Sequence, residues 1–405
     1  MKKFILTSIF LIFISCSKDS IIYSEIDNQN NTLKTITLPI DNQKSFQSIP
    51  SLGQNSKLFF GNESGSDNLF SLVQFTLFSG YIPPTSFLDL LADSIQVDSA
   101  RIFFQTLDTI NSSAKLKLYA LPVEVETIFS DSTNFYSLSE HIDFNNSSIF
   151  LNETILNEIA PLDSVSYDTI SFDFKGENLE TLKTNLFNTA SYPSRTIMLT
   201  SENLEQLFTL ESNESSREPK IRVWFKAFVN DTTTVDTSIL FFADKDISII
   251  SPPEITNEDK QLISLNGASG LKSLIHFNLD AVSNFNRNAL IKNANLILNV
   301  ENKNFDDSIF SVGISTIQDS ISNWNYTSFY QPSSDYEDYQ STNVFLNSRN
   351  IVDNKVSIPI QSYIQLFKNG AIDNNGLMIF GGSSNSPYDK VSFSVESLEV
   401  LYVEP

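Results

Sequence analysis

Cysteine is almost absent from this 405-residue chain, with Cys16 the single one. No intrachain disulfide can form, and no thiol nucleophile is available anywhere beyond Cys16. Histidine is nearly as scarce, limited to His141 and His276. A two-histidine metal site would need these two to meet, and neither stands at ligand spacing to another metal-binding residue. His276 alternates with apolar neighbours, which places it on the polar face of a strand, and His141 falls in a loop, Glu140-His141-Ile142. The nucleophile-elbow, phosphate-loop and dinucleotide glycine patterns are missing, which removes the commonest signatures of hydrolases, nucleotide-binding proteins and dehydrogenases. Positive charge is in short supply: 26 Lys and Arg face 48 Asp and Glu, a net charge of −22. Such a surface repels phosphate backbones, so nucleic acid is excluded as a partner, and polyanionic glycans are disfavoured unless cations bridge. The N-terminal apolar run, Phe4 to Phe13, is shorter than the roughly 20 residues a membrane-spanning helix needs.

What the chain does have is a β pattern, written twice. Hydrophobic residues make up 41%, enough for a sizeable core. Short segments alternate at period two, as in Lys115-Leu116-Lys117-Leu118-Tyr119, Ile170–Phe174 and Lys220–Phe225. Trp224 alternates within the last of these, which reads as core or sheet-face packing. Four blocks recur in order. Ser71–Phe75 returns as Ser273–Phe277, Ala100–Phe104 as Ala294–Leu298, Ile149–Asn152 as Val344–Asn347, and Phe208–Ser212 as Phe393–Ser397. Ordered recurrence means duplication. Leu179, Leu182 and Leu186 share a helical face in one copy. Tyr363, Ile364 and Phe367 do so in the other, with Gly370 placed to stop that helix. The expected fold is all-β, two tandem jelly-roll-type sandwiches each carrying a short helix. The polar run Asp231–Thr237 reads as a linker, with Ser238–Phe242 opening copy two. The expected divisions are a signal peptide at 1–15, a tether at 16–32, a first sandwich at 33–229 and a second at 230–405. Copy one has a longer loop around Tyr81-Ile82-Pro83-Pro84-Thr85.

Lys2 and Lys3, the apolar run and Ile14-Ser15-Cys16 form the basic, apolar and small-residue regions of a secretory signal. Phe13-Ile14-Ser15-Cys16 resembles the lipobox of bacterial lipoproteins, with Phe13 departing from the usual Leu. The resemblance implies cleavage before Cys16 and lipid attachment to its thiol. Ser17 rather than Asp follows, so the inner-membrane retention signal is missing, and an outer-membrane, surface-facing location is the expectation.

The matched blocks resemble the DNRLRE, or disaggregatase-related, β-sandwich domain, a carbohydrate-binding-module type. Ser273–Leu279 fits that family's opening strand S-L-[apolar]-x-F-[DN]-L, and Ser71–Leu77 fits with Thr76 as a departure. Ile291–Leu298 and Val97–Phe104 follow its next strand. Asn374–Ile379 matches its "N-x-G-L" strand, where copy one, Arg195–Leu199, lacks the Gly. Pro219–Val223 matches its closing "P-K-L-x-V", and copy two lacks the Pro-Lys. The resemblance implies a jelly-roll fold and a non-catalytic, sugar-binding role.

Two stretches of copy two could carry recognition. Trp324, Tyr326, Phe329, Tyr330, Tyr336 and Tyr339 crowd one polar, turn-like segment, where flat aromatic faces suit sugar rings. Asp306, Asp307, Asp335, Glu337 and Asp338 offer hard oxygen ligands in loops, the chemistry of a Ca2+ site, although no known loop spacing is matched. Two carboxylates would suffice for a glycosidase, but no acid stands in a distinctive motif. The expectation is therefore a lipoprotein that binds a polysaccharide, with a structural or adhesive protein binding other envelope proteins as the alternative.

Overall fold

The computed structural model describes residues 32–48, 52, 55–61, 69–77, 86–108, 114–130, 133–134, 137–138, 148–156, 168–188, 195–202, 204, 206–230, 233–250, 256, 259, 261–267, 270–305, 309–317, 344–382 and 386–404. The fold is all-β, as expected. Strands from the N-terminal half are β1 (Thr32–Leu38), β2 (Ile40–Gln47), β3 (Lys57–Phe60), β4 (Leu69–Leu77), β5 (Ile95–Thr106), β6 (Lys115–Ala120), β7 (Ile149–Ile155), β8 (Asp168–Phe174), β9 (Arg195–Glu202), β10 (Phe208–Glu211) and β11 (Lys220–Asn230). Then come β12 (Thr233–Ile250), β13 (Ile263–Asn266), β14 (Leu271–Phe277), β15 (Leu290–Lys303), β16 (Ser311–Thr316), β17 (Phe345–Asn350), β18 (Lys355–Pro359), β19 (Leu377–Gly381) and β20 (Lys390–Glu404). Four short α-helices are described: α1 (Val125–Ile128), α2 (Glu177–Leu182), α3 (Asp280–Ser283) and α4 (Gln361–Lys368).

Each copy builds two antiparallel layers, and one bent strand spans both. In the first sandwich the order is β7-β6-β9-β4-β12-β11-β5-β8. The start of β12 pairs with β11, and its end pairs with β4. In the second, β17-β16-β19-β14-β2 forms one layer and β1-β20-β15-β18 the other. There β1 pairs with β20 and β2 with β14, so β1 and β2 together play the part of β12. Pro39, which lacks an N–H for the ladder, separates them at the corner.

This pairing corrects the expected domain limits. Residues 32–47 lie in the second sandwich, not the first, and Thr233–Ile250 lies in the first, not the second. The two repeats have exchanged their opening strands. A local reason is visible at the boundary: Asn230 pairs with Thr233, so Thr233–Thr237, expected to lie in a linker, runs in β12 alongside β11. Closing two residues costs far less chain entropy than reaching a distant partner.

The exchange is reproduced atom for atom in a buried serine pair. Ser248 of β12 faces Ser71 of β4 with 3.0 Å between hydroxyls, and its Oγ accepts the Phe59 N–H at 2.8 Å. Ser45 of β2 faces Ser273 of β14 at 2.7 Å, and its Oγ accepts the Ser264 N–H at 2.9 Å. Each bent strand also bulges one residue past a shared register, skipping Asp244 in one and Asp41 in the other. Phe241 of β12 enters the first core beside Ile102, Phe172 and Ile221, and Leu38 of β1 enters the second beside Leu296, Ile358 and Leu398.

The expected helices are present. Leu179 and Leu182 on α2, with Leu186 just beyond, point into the first core. Tyr363 and Ile364 on α4 point into the second, with Phe367 packed against it. Gly370 ends this helix with φ +68°, a conformation that favours glycine. The loop around Tyr81–Thr85 lies outside the described residues.

Candidate functional site

The inner faces of the two sandwiches are alike, so the outer faces carry the difference. In the first sandwich the outer face of β4, β9 and β12 is apolar: Phe70, Leu72, Met198, Ile247 and Ile249. Leu121, Val125, Phe129 and Leu138, from the connection between β6 and β7, pack onto it. Beside them lies a buried polar knot. Glu126 of α1 sits 3.3 Å from the Arg195 guanidinium, both almost fully buried, and accepts the Gln74 amide at 2.8 Å and the Thr196 N–H at 2.6 Å. Arg195 also donates to the carbonyls of Asn185 and Leu186. Burial pushes the Glu126 carboxyl up against the pull of Gln74, Arg195 and Thr196, and pushes the Arg195 guanidinium down. This knot clamps α1 to β9, and the Thr196 hydroxyl joins it by donating to Glu126 Oε2 at 3.1 Å.

In the second sandwich the equivalent positions are occupied differently. Register places Lys272 where Phe70 stands, Lys44 where Ile247 stands and His276 where Gln74 stands. Burial alone pushes the Lys272 amine down to about 8. His276 lies on the polar face, as expected, with Nδ1 3.3 Å from Asp41 Oδ2 and Nε2 3.0 Å from the Asn374 carbonyl. Further along this face, Phe380 rests against Gly313. A Cβ there would come within 2.5 Å of the ring, so any other residue would have to push the ring aside. Phe345, on edge strand β17, is 59% exposed and lies 6.5 Å from the Phe380 ring. Opposite Phe345 in the register is Ser315, whose hydroxyl is buried without a hydrogen-bond partner. An unsatisfied buried hydroxyl is uncommon and marks a place to look for a ligand.

The connection carrying the aromatic stretch is fastened at this point. Thr316 N–H donates to the Val344 carbonyl at 2.9 Å, and Val344 N–H donates to Thr316 Oγ1 at 3.3 Å. Trp324, Tyr326, Phe329, Tyr330, Tyr336 and Tyr339 themselves lie outside the described residues. So do the acids Asp306, Asp307, Asp335, Glu337 and Asp338, together with His141 and the lipidation residue Cys16. Among the described residues no group of three or more His, Cys, Asp or Glu could hold a metal, and no helix is long and apolar enough to cross a membrane. Trp224 sits on a sheet face beneath Arg222, whose guanidinium is 5.9 Å from the ring centre.

Sequence reasoning missed two features. Asp259, 1% exposed, pairs with Lys390 at 2.7 Å and accepts both the Thr256 N–H and hydroxyl. Burial raises its pKa, but these bonds outweigh burial and hold the carboxyl below its ordinary value. Asp259 and Lys390 line one pocket together with Asn302, Lys303, Asn304 and Ser392. The second missed feature is the outward direction of Phe150 and Phe345. Their blocks match between copies and read as shared scaffold, but each alternates outward from a leucine that packs inward, Leu151 and Leu346.

No family model matches the chain, and no curated protein matches it. Among solved structures, that of the Macrobrachium rosenbergii nodavirus is 9% identical over 93% of this chain and 90% of the other, with a TM-score of 0.14. A score so low supports no statement about fold or function.

Proposed function

We propose that this is a lipid-anchored cell-envelope protein of the DNRLRE-like β-sandwich type that binds a polysaccharide without cleaving it. The supporting observation is the place where the aromatic connection leaves the second sandwich. Its base closes beside an exposed ring, Phe345, and the unsatisfied Ser315 hydroxyl. Aromatic faces stack on sugar rings, and hydroxyl groups supply direction. Acylation at Cys16 holds the sandwiches at an outer-membrane surface, and calcium is the cation that the acidic loops would take. A glycan array on the chain beginning at residue 17 tests the binding. Signal on at least one polysaccharide, reduced by Trp324→Ala or Tyr330→Ala, is the expected result. No signal on any glycan sinks the reading.

The second reading is an adhesive or structural protein. Strands β7 and β17 favour it: among the described residues each ends its sheet and carries exposed apolar side chains, features that suit addition of a partner's strand. Pull-down of a protein partner by a chain silent on glycans is its signature.

A further inference from the structure

The first sandwich carries a counterpart of the Phe345 feature. Phe150 stands at the same register position on edge strand β7 and is 48% exposed, preceded by exposed Ile149 as Phe345 is preceded by exposed Val344. Each of these rings touches a second one. Phe150 meets Tyr119 of β6 edge-on, with centroids 5.7 Å apart, and Phe345 meets Phe380 of β19. The second ring comes from different strands. Where the first sandwich has Tyr119, the second has Ser315, and where the second has Phe380, the first has Thr200. One ring was lost and another supplied, at the expense of a side chain at Gly313. Around it the outer face changed from apolar to lysine-bearing. Tyr119 is half-buried and packs on the apolar layer under α1, but Phe150 and Phe345 both stay exposed at the same register position through that divergence, which core packing does not explain.

We propose that Phe150 with Tyr119, and Phe345 with Phe380, are two equivalent sugar-stacking sites, so that one chain grips a neutral, repeating polysaccharide at two points. The proposal rests on the glycan reading above and extends it to a second site and to a ligand class. Neutrality follows from the net charge of −22, which repels polyanions. A second copy of this chain is a poor occupant for the same reason. Size argues likewise. Two or three apolar side chains per site fall well short of the roughly 800 Å² per partner that a stable protein interface buries, but they match the apolar face of one or two sugar rings.

Affinity electrophoresis of the chain beginning at residue 17, through gels holding mixed-linkage β-glucan, xylan, galactomannan or α-mannan, tests this. Wild type, Phe150→Ala, Phe345→Ala, the double variant and Phe150→Tyr are compared, with thermal unfolding as the check on folding. We expect retardation by at least one polymer, and a loss of about tenfold or more in apparent affinity for each single alanine variant as two-point attachment becomes one-point. The double variant should run as in an empty gel, and Phe150→Tyr, which keeps the ring, should behave as wild type. Calorimetry with an oligosaccharide of the retarding polymer should give two sites per wild-type chain and one for each single variant. Retardation unchanged by Phe150→Ala, with one site per chain, overturns this inference and leaves the glycan reading standing. No retardation of wild type by any polymer overturns both.

Discussion

Phe70 and Ile247 in the first sandwich stand where Lys272 and Lys44 stand in the second. On the inner faces the same comparison gives Val73 against Ile275, Phe75 against Phe277 and Ala100 against Ala294, all buried. Duplication preserved what fills the space between the layers, because a core tolerates few changes of volume. The outer faces were free to diverge. One became a second apolar layer under α1, locked by Glu126 and Arg195. The other took on lysines, a histidine and a ring resting on glycine.

The largest test of that difference is Glu126→Gln. It removes the carboxylate charge paired with Arg195 at 3.3 Å and leaves the buried guanidinium with carbonyl acceptors and the weaker attraction of Glu124. We expect a loss of about 3–5 kcal/mol, seen in chemical denaturation, with hydrogen exchange rising first at β4 and β9 rather than at β14 and β19. Equal loosening of both sandwiches would break the claim that the knot belongs to the first alone.

A second test converts one face toward the other. Lys272→Met removes an amine whose pKa is held at about 8 against an ordinary 10.5. The folded state resists the proton, so the stability that Lys272 contributes is fully present only above 10.5 and is lost as pH falls through about 8. At pH 7 the substitution should therefore stabilise the protein by up to about 3 kcal/mol. The gain should shrink between pH 8 and 10.5 and vanish above. Denaturation midpoints across that range check it, and a gain independent of pH would point to packing instead of charge.

The smallest test concerns what the two sandwiches share. Ser45→Ala and Ser248→Ala each remove one hydroxyl from matching arrangements and should each cost about 1 kcal/mol in urea denaturation, Ser45→Ala the more because its hydroxyl also donates to the Leu262 carbonyl at 2.8 Å. A cost clearly larger for Ser248→Ala would show that the two corners are less equivalent than their distances suggest.

Much of this fold was legible in the sequence, for a definite reason. Strand alternation and the match of Ser71–Phe75 with Ser273–Phe277 report which side chains point inward, and inward positions are what both copies keep. Leu179, Leu182 and Leu186 revealed their helix in the same way. The exchange of opening strands was not legible. Alternation says which face a strand buries but not which neighbour it pairs with, and Ser45 and Ser248 sit in segments of the same kind. The deciding information was the length of chain between Asn230 and Thr233, which reads as readily as a linker as it does a hairpin. The candidate site was legible only in part. Crowded aromatics pointed to the connection after β16, but Phe345 was hidden inside a block that looked like scaffold.

The exchange is the claim on which the comparison rests, since it decides which residues belong to which sandwich. Paired cysteines test it in the chain beginning at residue 17, which lacks Cys16. Ser45 and Ser273 are partners across antiparallel strands, as are Ser71 and Ser248, and facing residues of this kind have Cα atoms about 4.5–5.5 Å apart, within disulfide range. Under mild oxidation, Ser45→Cys with Ser273→Cys should close an intrachain disulfide, detected by peptide mapping of the monomer, as should Ser71→Cys with Ser248→Cys. Ser45→Cys with Ser71→Cys, and Ser248→Cys with Ser273→Cys, should remain reduced. Crosslinking of the latter two pairs instead would mean that each repeat keeps its own opening strand, and would contradict the account.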